Sequence, residues 1–177
     1  TPSIVNASRP MKEGERALCA EGGVDDVVEV IIGYDGIVLG FLASQPAVGF
    51  AKTDLYQALA KELYDNEAEA FVANPHETWQ QIRDGLPTKQ IRVYGPPASS
   101  GTRDSFVELA LEPGCAKLLP EAVAATEKAE EACTLMREDG AFIEAGENDN
   151  IILQRLEVNP DSYGIFGFSF LDQNRDR

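Results

Sequence analysis

One strand–loop–helix unit constrains this chain more than any other feature. Ile91-Arg92-Val93-Tyr94-Gly95 is apolar enough to run as a strand, and Phe106-Val107-Glu108-Leu109-Ala110-Leu111 is an amphipathic helical run. Between them lies Ser99-Ser100-Gly101-Thr102-Arg103-Asp104. Small hydroxyl residues and a glycine therefore fall at a helix N-terminus. Backbone N–H groups have no helical partner there, and the helix dipole is positive. Such a place takes an oxyanion, and Arg103 in the first turn adds a forked cationic donor. The plainer interpretation is an ordinary N-cap, since Ser and Thr are common at that position.

The same alternation runs through the rest of the chain. Ile4-Val5-Asn6-Ala7 reads as a short strand entering the polar turn Ser8-Arg9-Pro10. A helix is expected near Glu13–Ala20, stopping at Gly22-Gly23. Val27–Gly33 and Ile37–Leu42 are apolar and β-branched, with Asp35-Gly36 as a tight-turn signal between them. Val48-Gly49-Phe50 suggests a further strand. Leu55, Leu59 and Leu63 set a helix from Thr53 or Asp54 through about Tyr64. Residues 65–90 are polar, with a short helix around Trp79 and Ile82. The helix after Ser99–Asp104 should end at Pro113-Gly114, and residues 120–138 read as another helix. Glu147–Asn150 is a polar helix start, again more simply an N-cap, and the helix it opens stops at Asn159-Pro160. Gly164-Ile165-Phe166-Gly167-Phe168 looks like a buried strand with glycines for close approach. Strands alternating with helices imply an α/β layered fold.

Length and charge narrow the function. The 177 residues suit one domain or one lobe of a larger protein. No apolar run approaches the about 18 residues of a membrane span, and no signal peptide opens the chain. A net charge of −15 argues against nucleic acid as a partner. It does not exclude a small anion, because local donors decide affinity and salt screens charges beyond about 8–10 Å. There is one histidine, His76, in the loop-like Asn74-Pro75-His76-Glu77, and it reads as a surface residue. The three cysteines match no zinc spacing. Cys115 and Cys133 could pair if the protein is exported, leaving Cys19 over, or all three could be buried thiols. No catalytic set, P-loop or dinucleotide fingerprint is present, and neither a metal nor a cofactor is implied. The positive signals are for binding: Ser99–Asp104, then Ser8-Arg9, whose simpler role is a surface turn, then Asp35, whose simpler role is a hairpin turn.

Taken in order, these loops resemble the phosphate-binding proteins that serve ABC-type phosphate importers. The likeness is carried by Asn6-Ala7-Ser8-Arg9-Pro10, Ile32-Gly33-Tyr34-Asp35-Gly36-Ile37-Val38-Leu39, Ser99–Asp104, Gly146-Glu147-Asn148-Asp149 and Gly164–Ser169. Trp79 also falls where the family often has a tryptophan. The resemblance implies the α/β/α lobe of a type II periplasmic-binding-protein fold and roughly half of a two-lobed protein. Residues 1–43 would hold first-lobe and hinge strands, 44–170 mainly the second lobe, and 171–177 the return towards the first. Hinge strands would lie near 36–45 and 164–170. It implies a periplasmic, exported monomer that is not an enzyme. Such a protein binds inorganic phosphate and hands it to the transmembrane subunits of an ABC permease. Ser100, Gly101 and Thr102 would donate to phosphate oxygens, Arg103 would pair with the anion, and Ser8 would contribute from the opposite lobe. Some relatives carry an Asp after the Ser of the early loop, where it accepts the phosphate proton; here Arg9 stands there. Asp35, Asp104 or a residue elsewhere could take that role. Sulfate, molybdate or phosphonate are the alternative ligands, and a surface interaction module is the alternative function.

Overall fold

The computed structural model describes residues 4–7, 9–34 and 36–175. Helix α1 (Glu13–Glu21) precedes strand β1 (Ile37–Gly40), helix α2 (Lys52–Leu59) and a hairpin of β2 (Glu62–Asp65) and β3 (Ala70–Ala73). The short helix α3 (Trp79–Ile82) leads to β4 (Val93–Gly95) and then a long helical run. That run consists of α4 (Gly101–Phe106), a π-helical turn (Val107–Leu111) and α5 (Glu112–Ala116). Helices α6 (Glu121–Ala124) and α7 (Glu127–Thr134) follow, then β5 (Phe142–Glu144), α8 (Asp149–Val158), β6 (Tyr163–Gly167) and α9 (Phe168–Gln173).

Four strands form one sheet in the order β1-β6-β4-β5. β4 runs parallel to both β5 and β6, and β1 runs antiparallel to β6. Alternation along the strands divides the apolar side chains between two faces. Val93 and Ile165 face a core with Tyr56, Leu59, Trp79, Phe106 and Leu111. Their neighbours Tyr94 and Phe166 face a smaller core with Ile152, Leu153 and Leu156 of α8. Helices on both faces of a largely parallel sheet give the α/β/α layering expected from the sequence.

Several elements differ from the sequence expectation, each for a local reason. Residues 27–33 form no strand, and Val28, Val30, Ile31 and Ile32 are exposed. A run that is apolar on both sides needs a covering layer on each face. β1 pairs instead with the distant β6, not back across a hairpin. Ile4–Ala7 are likewise exposed and outside any strand. Helix α2 stops at Leu59 because Ala60 turns extended, and Leu63 joins a hairpin held by the edge-on Tyr64–Phe71 pair, ring centroids 5.3 Å apart. Phe50 belongs to no strand; its ring packs on Trp79 at 4.6 Å and on Tyr163 at 5.1 Å. The 120–138 segment breaks before Thr126, whose hydroxyl accepts the Ala129 N–H at 3.2 Å and starts α7.

Pro113-Gly114 does not end the helix. The π turn shifts the hydrogen-bond ladder, with the Glu112 N–H donating to Val107 O, and Pro113 falls in the first turn of α5. A proline without an N–H is tolerated at such a discontinuity. Gly114 is there for contact: a Cβ on it would lie 2.2 Å from the Lys52 carbonyl oxygen. α2 and α5 meet backbone to backbone at that point. Next to it, buried Cys115 is joined to Cys133 of α7 across 18 residues, a closure that stabilises by about 3 kcal/mol. Cys19 is free.

The start of α2 is tied to α3 by a buried carboxylate. Asp54 accepts the Ala51 N–H at 2.9 Å and the Arg83 Nη2 at 2.8 Å, with its side chain 4% exposed. Burial pushes this carboxyl up, but the Arg83 hydrogen bond and the Ala51 amide outweigh it and hold the pKa below the ordinary value.

Two outcomes follow for stability. Gly114→Ala should cost about 2 kcal/mol in urea unfolding, because the Lys52 backbone has to move. Asp54→Asn should cost about 2 kcal/mol at neutral pH. Because the folded pKa is depressed, the wild-type contribution is complete above about pH 4 and lost as pH falls through the folded value. The gap between the two proteins in urea titrations should therefore close in acid.

Candidate functional site

Parallel pairing places the carboxyl ends of β4, β5 and β6 on one edge of the sheet, and each strand feeds a helix there: α4, α8 and α9. β1 is antiparallel, so it begins at this edge, with Ile37 opposite Gly167. Two backbone bonds stitch the loops together. The Ala145 N–H donates to Gly95 O at 2.9 Å, and the Phe168 N–H donates to Gly36 O at 2.6 Å. Three helix N-termini thus gather where ligands bind in open α/β sheets.

Ser100 is the N-cap residue of α4 and is 6% exposed. Its carbonyl accepts the Asp104 N–H at 3.1 Å, yet its hydroxyl makes no capping bond. The plain N-cap interpretation therefore fails for this side chain. Gly101, Thr102 and Arg103 supply the first-turn amides, which have no partner within a helix. Ser99 is used differently: its hydroxyl donates to Glu147 Oε1 at 3.1 Å, joining this loop to the one before α8. That second loop is an N-cap, as the simpler interpretation held, with Asn148 Oδ1 accepting the Asn150 N–H at 3.0 Å.

Arg103 is the chemically distinctive group. Its side chain is 12% exposed and its guanidinium lies over the Phe142 ring, 4.2 Å from the centroid. One long bond runs from Nη1 to Pro96 O at 3.4 Å. The nearest carboxylate oxygen among the described residues, Glu144 Oε1, stands 4.0 Å away. Desolvation lowers the pKa of Arg103, against the opposing pull of Glu144 and Asp104. The result is a cation largely out of water, with donors to spare.

Arg103, Asp104, Phe142 and Glu144 line a groove of about 740 Å³, together with Arg9 and Lys12 from the N-terminal segment. Ser100, Gly101 and Thr102 do not line it, so the hydroxyl and amide donors lie outside the cavity that Arg103 faces. Ser8 and Asp35 fall outside the described residues. Their neighbours reach the same edge: Arg9 Nε is 4.0 Å from Asp104 Oδ2, and Gly36 O holds the Phe168 amide. His76, expected at the surface, is half-buried. Its carbonyl accepts from Arg137 Nη1 at 2.7 Å, and burial, then Arg137, lowers its pKa. No cluster of metal-ligating side chains occurs among the described residues.

The residues that sequence reasoning passed over are Phe142 and Glu144. Both sit on β5, a strand of three residues. The short apolar run Ala141-Phe142-Ile143 was the available signal.

A family model described as a PBP superfamily domain matches residues 1–175. The chain belongs to the PBP superfamily. Among similar proteins, Protein SphX of Synechococcus elongatus is 25% identical over 98% of this PBP-superfamily chain and 42% of its own length. Phosphate-binding protein PstS of Staphylococcus saprophyticus is 26% identical over 97% of this chain and 42% of its own. A solved structure of a possible phosphate binding protein from Planctomyces limnophilus superposes with a TM-score of 0.55 at 22% identity, over 97% of this chain and 49% of that one. This structural likeness supports the fold alone. The chain spans less than half the length of the curated relatives it matches.

Proposed function

We propose that this chain is part of a two-lobed protein that binds inorganic phosphate in the cleft between its lobes and delivers it to an ABC-type permease. Residues 1–43 supply first-lobe and hinge strands, residues 44–170 make up most of the second lobe, and 171–177 return towards the first. The observation that carries the reading is the start of α4. Ser100, a largely buried residue, leaves its hydroxyl out of capping, the first-turn amides are free of helical bonds, and a desolvated Arg103 lies three residues on. Support also comes from the names of the relatives, two of which are a phosphate-binding protein and a possible one.

The chemistry is capture, with no bond made or broken. The anion sheds water; Arg103 meets it from the groove, and lobe closure brings it against the Ser100, Gly101 and Thr102 donors at the start of α4, which lie outside that groove. Ser8 adds a donor from the other lobe, Asp35 is a candidate acceptor for the phosphate proton, and the lobes close about the hinge strands. The protein works outside the cytoplasm, as an exported monomer, and does not engage nucleic acid. No described helix is long and apolar enough to cross a membrane.

Arg103→Ala in the full-length protein should weaken phosphate binding about 100-fold, the loss of a charged, desolvated donor pair. Calorimetry giving an unchanged Kd would remove Arg103 from the site. Competition with sulfate and molybdate in the same titration identifies the anion. Residues 1–177 alone should bind phosphate far more weakly than the whole protein, and micromolar affinity in the isolated chain would contradict the division into lobes.

A further inference from the structure

The groove beside α4 has walls of opposite sign. Asp104, Glu108 and Glu112 are spaced four apart along the α4–π–α5 run, and all three face the groove. Arg9 and Lys12 face it from the N-terminal segment. Arg9 is held in place by its own neighbourhood. Its Nη1 and Nη2 donate to the two oxygens of Glu15 at 2.9 and 2.8 Å, and Nη1 also reaches Pro10 O at 3.1 Å. Glu15 is fixed in turn by the Lys12 N–H at 2.8 Å, at the start of α1. The Arg9 hydrogen bond, then the Lys12 amide, hold the Glu15 carboxyl down at about 2, so this clamp stays ionised across the physiological range. What remains free to turn outward is the Nε side of the guanidinium. It points at Asp104 across 4.0 Å, too long for a made hydrogen bond and close enough for attraction.

We infer that Arg9, aimed by Glu15, is a positioning residue for ligand binding that latches the N-terminal segment onto the acidic helix face of Asp104 and Glu108 when the groove narrows. The inference rests on the phosphate-binding reading above, in which Arg9 and Asp104 belong to different lobes. The latch does not touch the anion. It lengthens the time the closed form lasts, so it acts on release more than on capture. The charge of Arg9 is neutralised on one side by Glu15 and directed on the other towards Asp104.

The test is stopped-flow phosphate binding to the full-length protein and its variants. Arg9→Gln should raise the phosphate release rate about fivefold with little change in the association rate, the scale of a partly exposed ion pair. Asp104→Asn combined with Glu108→Gln should do the same. All three changes together should cost no more than either set alone, and Glu15→Gln should reproduce part of the loss by releasing Arg9. Reversing the pair, with Arg9→Glu against Asp104→Lys and Glu108→Lys, should recover slow release, which also guards against variants that merely fold poorly. Raising salt should speed release from the wild type and leave Arg9→Gln nearly unmoved. Additive losses, or release unchanged by Arg9→Gln, would overturn the latch. Failure of the phosphate reading is seen separately, as a wild-type protein that does not bind phosphate in calorimetry.

Discussion

The sheet depends on a glycine seam between β1 and β6. Gly40 and Gly164 stand opposite each other in the register, and the Phe166 ring folds back over both. A Cβ at Gly164 would lie 2.6 Å from that ring and 2.8 Å from Ile152, and one at Gly40 would lie 3.1 Å from the ring. Only bare backbone leaves Phe166 room to stack on Phe170 at 5.5 Å and close the smaller core under α8 and α9. β6 is the hub of the sheet, antiparallel to β1 on one side and parallel to β4 on the other. Its placement decides which strand ends share an edge. The loops after β4, β5 and β6 meet because β4 runs parallel to both β5 and β6.

In the proposed function, that edge lets a strongly acidic chain hold an anion. The net charge of −15 is spread over the surface, where salt screens it. The anion would meet local groups. Arg103 has been moved out of water by Phe142 beneath it and by the β4–α4 loop beside it, so its field is less damped than that of an exposed arginine. Glu144 attracts the guanidinium without occupying its donors, since 4.0 Å is an attraction and not a hydrogen bond. An arginine fully paired with a carboxylate would have to break that pair to take a ligand. Arg83 on Asp54 and Arg137 on Asp139 are such pairs, each with several bonds made, and they serve the fold.

How much of this was legible in the sequence depended on whether the deciding contact was local. The 91–111 unit read correctly because strand, turn chemistry and helix start lie within one stretch. The Glu13 helix and its stop at Gly22-Gly23, the α8 start at Asn148 and the glycines of β6 were legible for the same reason. Leu63 misled because a helical period of four also fits a residue that a cross-strand aromatic pair places in a hairpin. Residues 27–33 have strand composition but nothing to pair with among the described residues, and composition cannot report a missing neighbour. Pro113-Gly114 looked like a stop because the π turn that absorbs the proline leaves no residue signature. β5 was hidden by its brevity: it is a three-residue edge strand, held on one side by β4 and, just past its end, by the Ala145 N–H to Gly95 O bond.

The site shows the same division. The proposed donors sit next to each other in sequence, so Ser100 to Arg103 form one local candidate stretch. The partners that tune them, Phe142 under the guanidinium and Glu144 beside it, come from a strand about forty residues later and are visible only once β5 lies against β4. Arg9 carries the argument one step further. As a sequence position it read as a turn residue or as a departure from a family pattern. Its role depends on Glu15, six residues on, which takes one face of the guanidinium, and on the acidic stripe of a helix a hundred residues away, which lies across a groove from the other face. An arginine's function is set less by its presence than by which of its five donors remain unspent, and that count is a property of the folded neighbourhood.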